Sequence, residues 1–248
     1  TVRSATQGDA CQSKNSQLSA RYIRLHIDAA VGNFGSGQAM YVYRQLDTEI
    51  TLQGDINRDK RIDDNDFTSY MNYTGLRTVD SDYDYVSIGD VNHNGLIDAY
   101  DISVVATELE GGVENSADKV SGSLTLTPSV KLWKAGDEVR VTVKGDALHS
   151  VNALSFGLPY NTDELEYLGL EQKGMKEMQN LTSDRLHSNG QKELLPTFVN
   201  LGTAPLLEEG SPELFVIKFR AKKAGKWTLK AVDGMLVDRN LGVVKILP

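Results

Sequence analysis

Cysteine is almost missing from this chain: Cys11 is the one thiol in 248 residues, which excludes an internal disulfide framework and any multi-cysteine zinc site. No apolar run approaches the ~20 residues a membrane helix needs, so the sequence predicts no helical span. The four histidines, His26, His93, His149 and His187, stand apart from one another. There is no His-Glu-x-x-His pair, no nucleophile elbow and no phosphate-cradling glycine loop, and so no motif that predicts catalysis. Positive charge is also short: 26 basic against 34 acidic residues leave a formal charge of −8, the wrong sign for a phosphate backbone. The opening Thr1-Val2-Arg3-Ser4 has neither an initiator Met nor an apolar export segment, and reads as part of a longer precursor. With 40% hydrophobic and 24% charged residues the composition is that of a folded chain, and its length suits two or three modules.

What is present is an internal repeat. Gly54-Asp55-Ile56-Asn57 through Ile62-Asp63 returns as Gly89-Asp90-Val91-Asn92 through Ile97-Asp98, offset by 35 residues. Both copies continue with Asp, an apolar residue and a hydroxyl residue: Asp66-Phe67-Thr68 and Asp101-Ile102-Ser103. A short helical pattern follows each, carried by Phe67, Tyr70 and Met71 and by Ile102, Val105, Ala106 and Leu109. Gly75 and Gly111 stand where C-terminal caps belong. The run Glu49–Gly54 is too short and too β-branched for a helix, so each loop has an exiting helix and no entering one.

Read as twelve-residue loops, the first places oxygen side chains at positions 1, 3, 5, 9 and 12 as Asp55, Asn57, Asp59, Asp63 and Asp66, with the Arg61 carbonyl at position 7. The second offers Asp90, Asn92, Asn94, Asp98 and Asp101, with the Leu96 carbonyl at 7. Calcium is a hard cation that takes about 6–8 oxygens, and alternating donors on a curled loop satisfy it. The absence of His and Cys from the set counts against zinc and copper. Two calcium ions are therefore expected. Position 6 calls for a left-handed backbone, supplied by Gly95 in the second loop and demanded of Lys60 in the first. His93 is expected to point outward.

The polar stretch 112–119 reads as a linker. Beyond it, Leu124–Leu126, Glu138–Val143, Ala153–Leu158, Leu214–Ala221 and Trp227–Val232 alternate or cluster apolar residues over strand lengths, an all-β sandwich pattern. Trp133 and Trp227 are expected in its core rather than as sugar platforms. Ahead of the repeats, Arg21–Ile27 and Gln38–Arg44 read as two strands of a hairpin.

Asp at position 12 together with the missing entering helix resembles the dockerin family, from Gly54 to about Gly111. The runs Lys134–Val143, Asn152–Tyr160, Asp163–Gly169 and Glu213–Gly225 resemble a cohesin. Ser19–Ile27 with Gln38–Arg44 resembles the tail of a discoidin-like carbohydrate-binding module. These resemblances imply a multi-domain chain: a discoidin-like hairpin remnant at 1–48, a small α-helical calcium-loop duplication at 49–111, the linker 112–119, and an all-β jelly-roll sandwich at 120–248. They imply the C-terminal part of a secreted or cell-surface bacterial carbohydrate-active protein, non-catalytic in this region. Its expected function is calcium-dependent assembly with a cohesin- or dockerin-bearing partner. The rivals are a carbohydrate-binding accessory region and a glycosidase domain. Dockerins resembling this one present loop positions 10 and 11 to the cohesin, here Asp64 and Asn65 in one copy and Ala99 and Tyr100 in the other. Tyr100 is the expected anchor, binding in trans because a short linker does not reach the sandwich's far face unless the two modules already abut.

Overall fold

The computed structural model describes residues 52–109, 119–201 and 212–246. The expected hairpin at 1–48 and nearly all of the linker lie outside them. The chain divides into two compact units, Thr1–Ile50 and Thr51–Pro248, so the repeated-loop region and the sandwich form one body.

The loop region is built on two helices, α1 (Asp64–Tyr73) and α3 (Ala99–Leu109), with a short α2 (Tyr83–Val86) and a 3-10 turn (Ser87–Gly89) between them. Asp63 and Asp66 form a capping box that starts α1. Thr74 closes the helix by donating its N–H to the Tyr70 carbonyl, and Gly75 follows with φ +85°, as its sequence position predicts. Gly111 is outside the described residues. Met71 departs from the expected apolar stripe: it is 55% exposed.

The strands are β1 (Ser121–Pro128), β2 (Leu132–Trp133), β3 (Glu138–His149), β4 (Ala153–Pro159), β5 (Leu165–Gln172), β6 (Gln179–Asn180), β7 (Ser183–Leu186), β8 (Lys192–Leu195), β9 (Thr197–Val199), β10 (Glu213–Ala221), β11 (Gly225–Lys226), β12 (Val232–Val237) and β13 (Val243–Ile246). One sheet runs β1-β3-β10-β5 and the other β13-β12-β4-β8-β7, with β9 pairing both β4 and β6; the pairings are antiparallel. Four expected strands sit inside β1, β3, β4 and β10. The fifth, Trp227–Val232, does not form as read: pairing begins at Val232, and Trp227, Leu229 and Ala231 pack half-buried on the core from an irregular run.

The two sheets close over Val139, Val141 and Val143 of β3, Phe215, Ile217 and Phe219 of β10, and Leu154, Phe156 and Leu158 of β4. Phe215 lies 4.9 Å from Phe198 and 6.1 Å from Phe156, ring centre to ring centre, joining the sheets with aromatic pairs. Trp133 is buried, as expected. The outer face of the first sheet is charged, with Glu171 paired to Arg140, Lys173 and Lys218 and Glu166 to Arg220.

The outer face of the second sheet is covered. Along β4 the large residues point into the sandwich while Ala153, Ser155 and Gly157 alternate to the other side, and every residue from Ala153 to Leu158 is buried. Helix α3 lies against β4, β9 and β12. A second core, shared by loop region and sandwich, joins Ile56, Tyr70, Ile97, Ile102, Val105 and Ala106 to Ala153, Leu181, Val199, Met235 and Val237. The two modules thus abut, the condition under which contact in cis becomes possible. Small side chains on the sheet let the helix approach closely, and burial at roughly 25 cal/mol per Å² of apolar area favours the contact.

Candidate functional site

The two loops fold by the same hydrogen-bond scheme. At position 1, Asp55 accepts the N–H groups of Asp59 (3.0 Å) and Lys60 (2.9 Å), and Asp90 accepts those of Asn94 (3.1 Å) and Gly95 (2.8 Å). At position 3, Asn57 accepts from Asp59 N at 2.8 Å and Asn92 from Asn94 N at 3.0 Å. At position 5, Asp59 accepts from Arg61 N at 3.0 Å and Asn94 from Leu96 N at 2.9 Å. At position 9, Asp63 accepts from Asn65 N and Asp98 from Tyr100 N, both at 2.8 Å. At position 12, Asp66 accepts from Asp63 N at 3.0 Å and Asp101 from Asp98 N at 2.9 Å. Among the backbone-donated bonds one differs: Asp66 also takes the N–H of Asn57 at position 3, Asp101 that of Val91 at position 2; the side-chain amides differ as well, Asn57 Nδ2 donating to Asp59 Oδ2 at 3.2 Å and Asn94 Nδ2 to Asp98 Oδ2 at 2.9 Å.

The backbone turns are repeated too. Arg58 and His93 at position 4 have φ +62° and +56°, and Lys60 and Gly95 at position 6 have φ +74° and +84°. Lys60 therefore holds the left-handed conformation that glycine adopts without a Cβ penalty. His93 is exposed, as its outward position requires.

This curl gathers negative charge. Carboxylate oxygens of Asp55, Asp59 and Asp66 lie within 4.8 Å of one another. Burial, reinforced by the charges of Asp55 and Asp59, pushes the Asp66 carboxyl above the usual range even though two backbone N–H groups favour its charged form. In the second loop burial raises Asp98 and Asp101, each of which also faces like charge. Carboxylates held together at such cost, with oxygen donors alone and no imidazole or thiolate, are a donor set that fits a hard divalent cation.

The residues expected to face a partner fall into two environments. Asp64 and Asn65 are exposed on α1. Ala99 is fully buried and its N–H points to Ser155 Oγ at 3.4 Å, while Tyr100 is half-buried against the shared core.

Several supporting contacts carry no sequence signal. Tyr83 on α2 donates its hydroxyl to Asp90 Oδ2 in a short hydrogen bond, and Tyr70 donates to the Gly89 carbonyl at 2.8 Å, so both fix the entry to the second loop. Arg77 forks onto Glu193, Nε to Oε2 and Nη2 to Oε1, each at 2.8 Å, and Nη2 also reaches Asp233 at 2.8 Å. His187 stands between Asp80 (Nδ1 to Oδ2, 2.8 Å) and Glu193 (Nε2 to Oε2, 3.2 Å). Arg185 donates to the carbonyls of Thr74 and Asn72. These bonds tie the loop region to β7 and β8 across more than 100 residues of chain.

Residues 53–118 match the dockerin type I domain family. No curated protein matches the chain. Among solved structures, similar folds include the second type II cohesin module of the adaptor ScaA scaffoldin of Acetivibrio cellulolyticus, at 12% identity over 50% of this chain and 84% of that one, TM-score 0.40. A cohesin module from a Clostridium perfringens family 33 glycoside hydrolase has 11% identity over 52% and 92%, TM-score 0.38. A non-cellulosomal cohesin from Archaeoglobus fulgidus has 20% identity over 50% and 85%, TM-score 0.35. The chain carries a dockerin type I domain over residues 53–118, followed by an antiparallel β-sandwich.

Proposed function

We propose that this chain is a calcium-dependent assembly region of an extracellular carbohydrate-degrading protein, in which each loop holds one calcium ion and the folded dockerin domain docks onto a cohesin-bearing partner. The observation that supports this reading best is the position-by-position repetition of hydrogen bonds and left-handed turns in the two loops. Chance Asx turns do not reproduce such a scheme twice in register. Asp55, Asn57, Asp59, Asp63 and Asp66 with the Arg61 carbonyl would hold one ion. Asp90, Asn92, Asn94, Asp98 and Asp101 with the Leu96 carbonyl would hold the other. When bound, each ion supplies a fixed positive charge that offsets the repulsion among its carboxylates. The loop backbone holds the acids in place, and Asp63 and Asp98 pass that order to the first turns of α1 and α3.

Calorimetric titration of the chelator-treated chain with calcium tests the metal half: two ions are expected, and no heat overturns it. Capture by immobilised cohesin modules, with and without chelator, tests the assembly half. Binding that survives chelation unchanged overturns calcium dependence, and a partner held through glycan alone overturns assembly.

A further inference from the structure

The two repeats are copies, yet their helices meet different surroundings. Aligned on the loops, Asp64, Thr68, Met71 and Asn72 of α1 correspond to Ala99, Ser103, Ala106 and Thr107 of α3. The likeness reaches individual atoms: Thr68 Oγ1 donates to the Asp64 carbonyl at 2.8 Å, and Ser103 Oγ to the Ala99 carbonyl at 2.7 Å. All four α1 residues are exposed, and all four α3 residues are buried.

The α1 residues show that these positions lie outside the dockerin domain's own core. What hides their counterparts on α3 is the sandwich, through β4, β9 and β12. The fit uses small side chains on both sides, Ala99 and Ala106 on the helix and Ala153 and Ser155 on the sheet, where the Ala99 N–H points to Ser155 Oγ at 3.4 Å. Away from α3, polar ties hold the segment after α1 to the sandwich: Arg77 to Glu193, Arg185 to the Thr74 carbonyl and His187 to Asp80.

We infer that the chain's own sandwich occupies the second-repeat face of the dockerin domain, and that a partner docks on the first-repeat face, at Asp64, Asn65, Thr68 and Met71 of α1. This deepens the assembly reading and rests on it. The occupant is the outer face of another protein's antiparallel sheet, of the cohesin type. The molecule itself shows what such a helix face is shaped to lie on, because α3 already lies on one. The partner's sheet differs from this chain's own in two respects. Met71 and Asp64 are larger than Ala106 and Ala99, so the floor must be wider than Ala153 and Ser155 provide. Asp64 is an exposed carboxylate on this face, and a cation on the facing surface complements it. With one face committed in cis, the domain has one docking orientation.

Two measurements on the full chain, with Cys11→Ser as background, decide this. Thr68→Cys and Ser103→Cys are compared by labelling with N-ethylmaleimide in calcium. The exposed thiol of the Thr68→Cys variant is expected to react at least ~100-fold faster than that of Ser103→Cys, whose access requires the interface to open. Equal rates overturn occupation in cis. Binding to a panel of purified cohesin modules is then measured for Met71→Arg, Thr68→Arg and Tyr100→Ala. The two α1 variants, exposed and so without effect on folding, are expected to lose at least ~10-fold in affinity, and Tyr100→Ala less than ~3-fold. Binding lost through Tyr100→Ala and kept in the α1 variants overturns the assignment. If the unaltered chain binds no cohesin, the assembly reading falls with the docking assignment, while the labelling result still stands or fails by itself.

Discussion

Replacing Glu193 by Gln should loosen the dockerin domain from the sandwich and cost about 2–4 kcal/mol. The carboxylate is 3% exposed and accepts both arms of the Arg77 guanidinium, while His187 Nε2 lies 3.2 Å from it. It also sits directly on the backbone of β4: a Cβ built at Gly157 would come within 1.9 Å of Glu193 Oε1, so little room is left for water to replace a lost bond. Gln keeps the shape but turns one oxygen into an N–H donor facing donors, leaving buried polar groups opposed. Breaking one partner out of a buried ion pair costs ~3–5 kcal/mol, and the lower range applies because Arg77 is 22% exposed and retains Asp233. For a body of this size that is a fall of roughly 4–16 °C in Tm. Urea unfolding of Glu193→Gln, Arg77→Met and the double variant measures the pair directly, with an expected coupling of at least ~1.5 kcal/mol. A coupling below ~0.5 kcal/mol would show that the fork is a surface contact and that the apolar core alone holds the modules together.

The remaining predictions concern the loops and acid stability. Asp66→Ala and Asp101→Ala should each remove one calcium from the calorimetric stoichiometry and leave the other, and retention of both ions in either variant refutes the ligand assignment. Lys60→Gly should strengthen the first site by up to about fivefold, because glycine relieves a left-handed residue at a cost of order 1 kcal/mol, partly offset by the freer unfolded chain; weaker calcium binding would refute this. Burial works against the Asp80 charge, but the Arg77 N–H, the His187 ring and the Ser188 N–H outweigh it and hold the carboxyl below its ordinary value. A carboxyl depressed in the folded state contributes stability present above its unfolded pKa of about 3.9 and lost as pH falls through the folded value. Asp80→Asn should therefore flatten the acid limb of the urea midpoint measured from about pH 6 down to pH 2.5, and an unchanged slope refutes the contribution.

What could be read from the sequence was local, and what could not was distant. The loop's hydrogen-bond scheme asks for particular oxygen atoms at fixed offsets within twelve residues, so Asp55 to Asp66 and Asp90 to Asp101 announce themselves, and the left-handed Lys60 follows from its position alone. The strands within β1, β3, β4 and β10 show their period because each has one side chain set in the core. Trp227 to Ala231 misled because burial does not require pairing: those side chains fill the core edge from irregular backbone. The contact between dockerin domain and sandwich was hidden for a different reason. Ala153, Ser155 and Gly157 suit a solvent-facing strand as well as a helix-bearing one, and Arg77 finds Glu193 across 116 residues with no periodicity to mark the pair. Yet α3 carried a readable signal. A helix with one partner needs one apolar stripe, as α1 has, with Asp64, Thr68 and Asn72 turned to solvent. Helix α3 puts Ala99 and Ala106 where α1 has Asp64 and Met71 and Val104 where α1 has Ser69, so small or apolar residues run round more of its circumference, and from Ala99 to Thr107 all but Tyr100 are buried. Asp101 is no exception, since its carboxylate is spent on the loop backbone. Two copies of one motif that differ in how many sides are apolar differ in how many neighbours they have, and the second copy's extra neighbour is the sandwich.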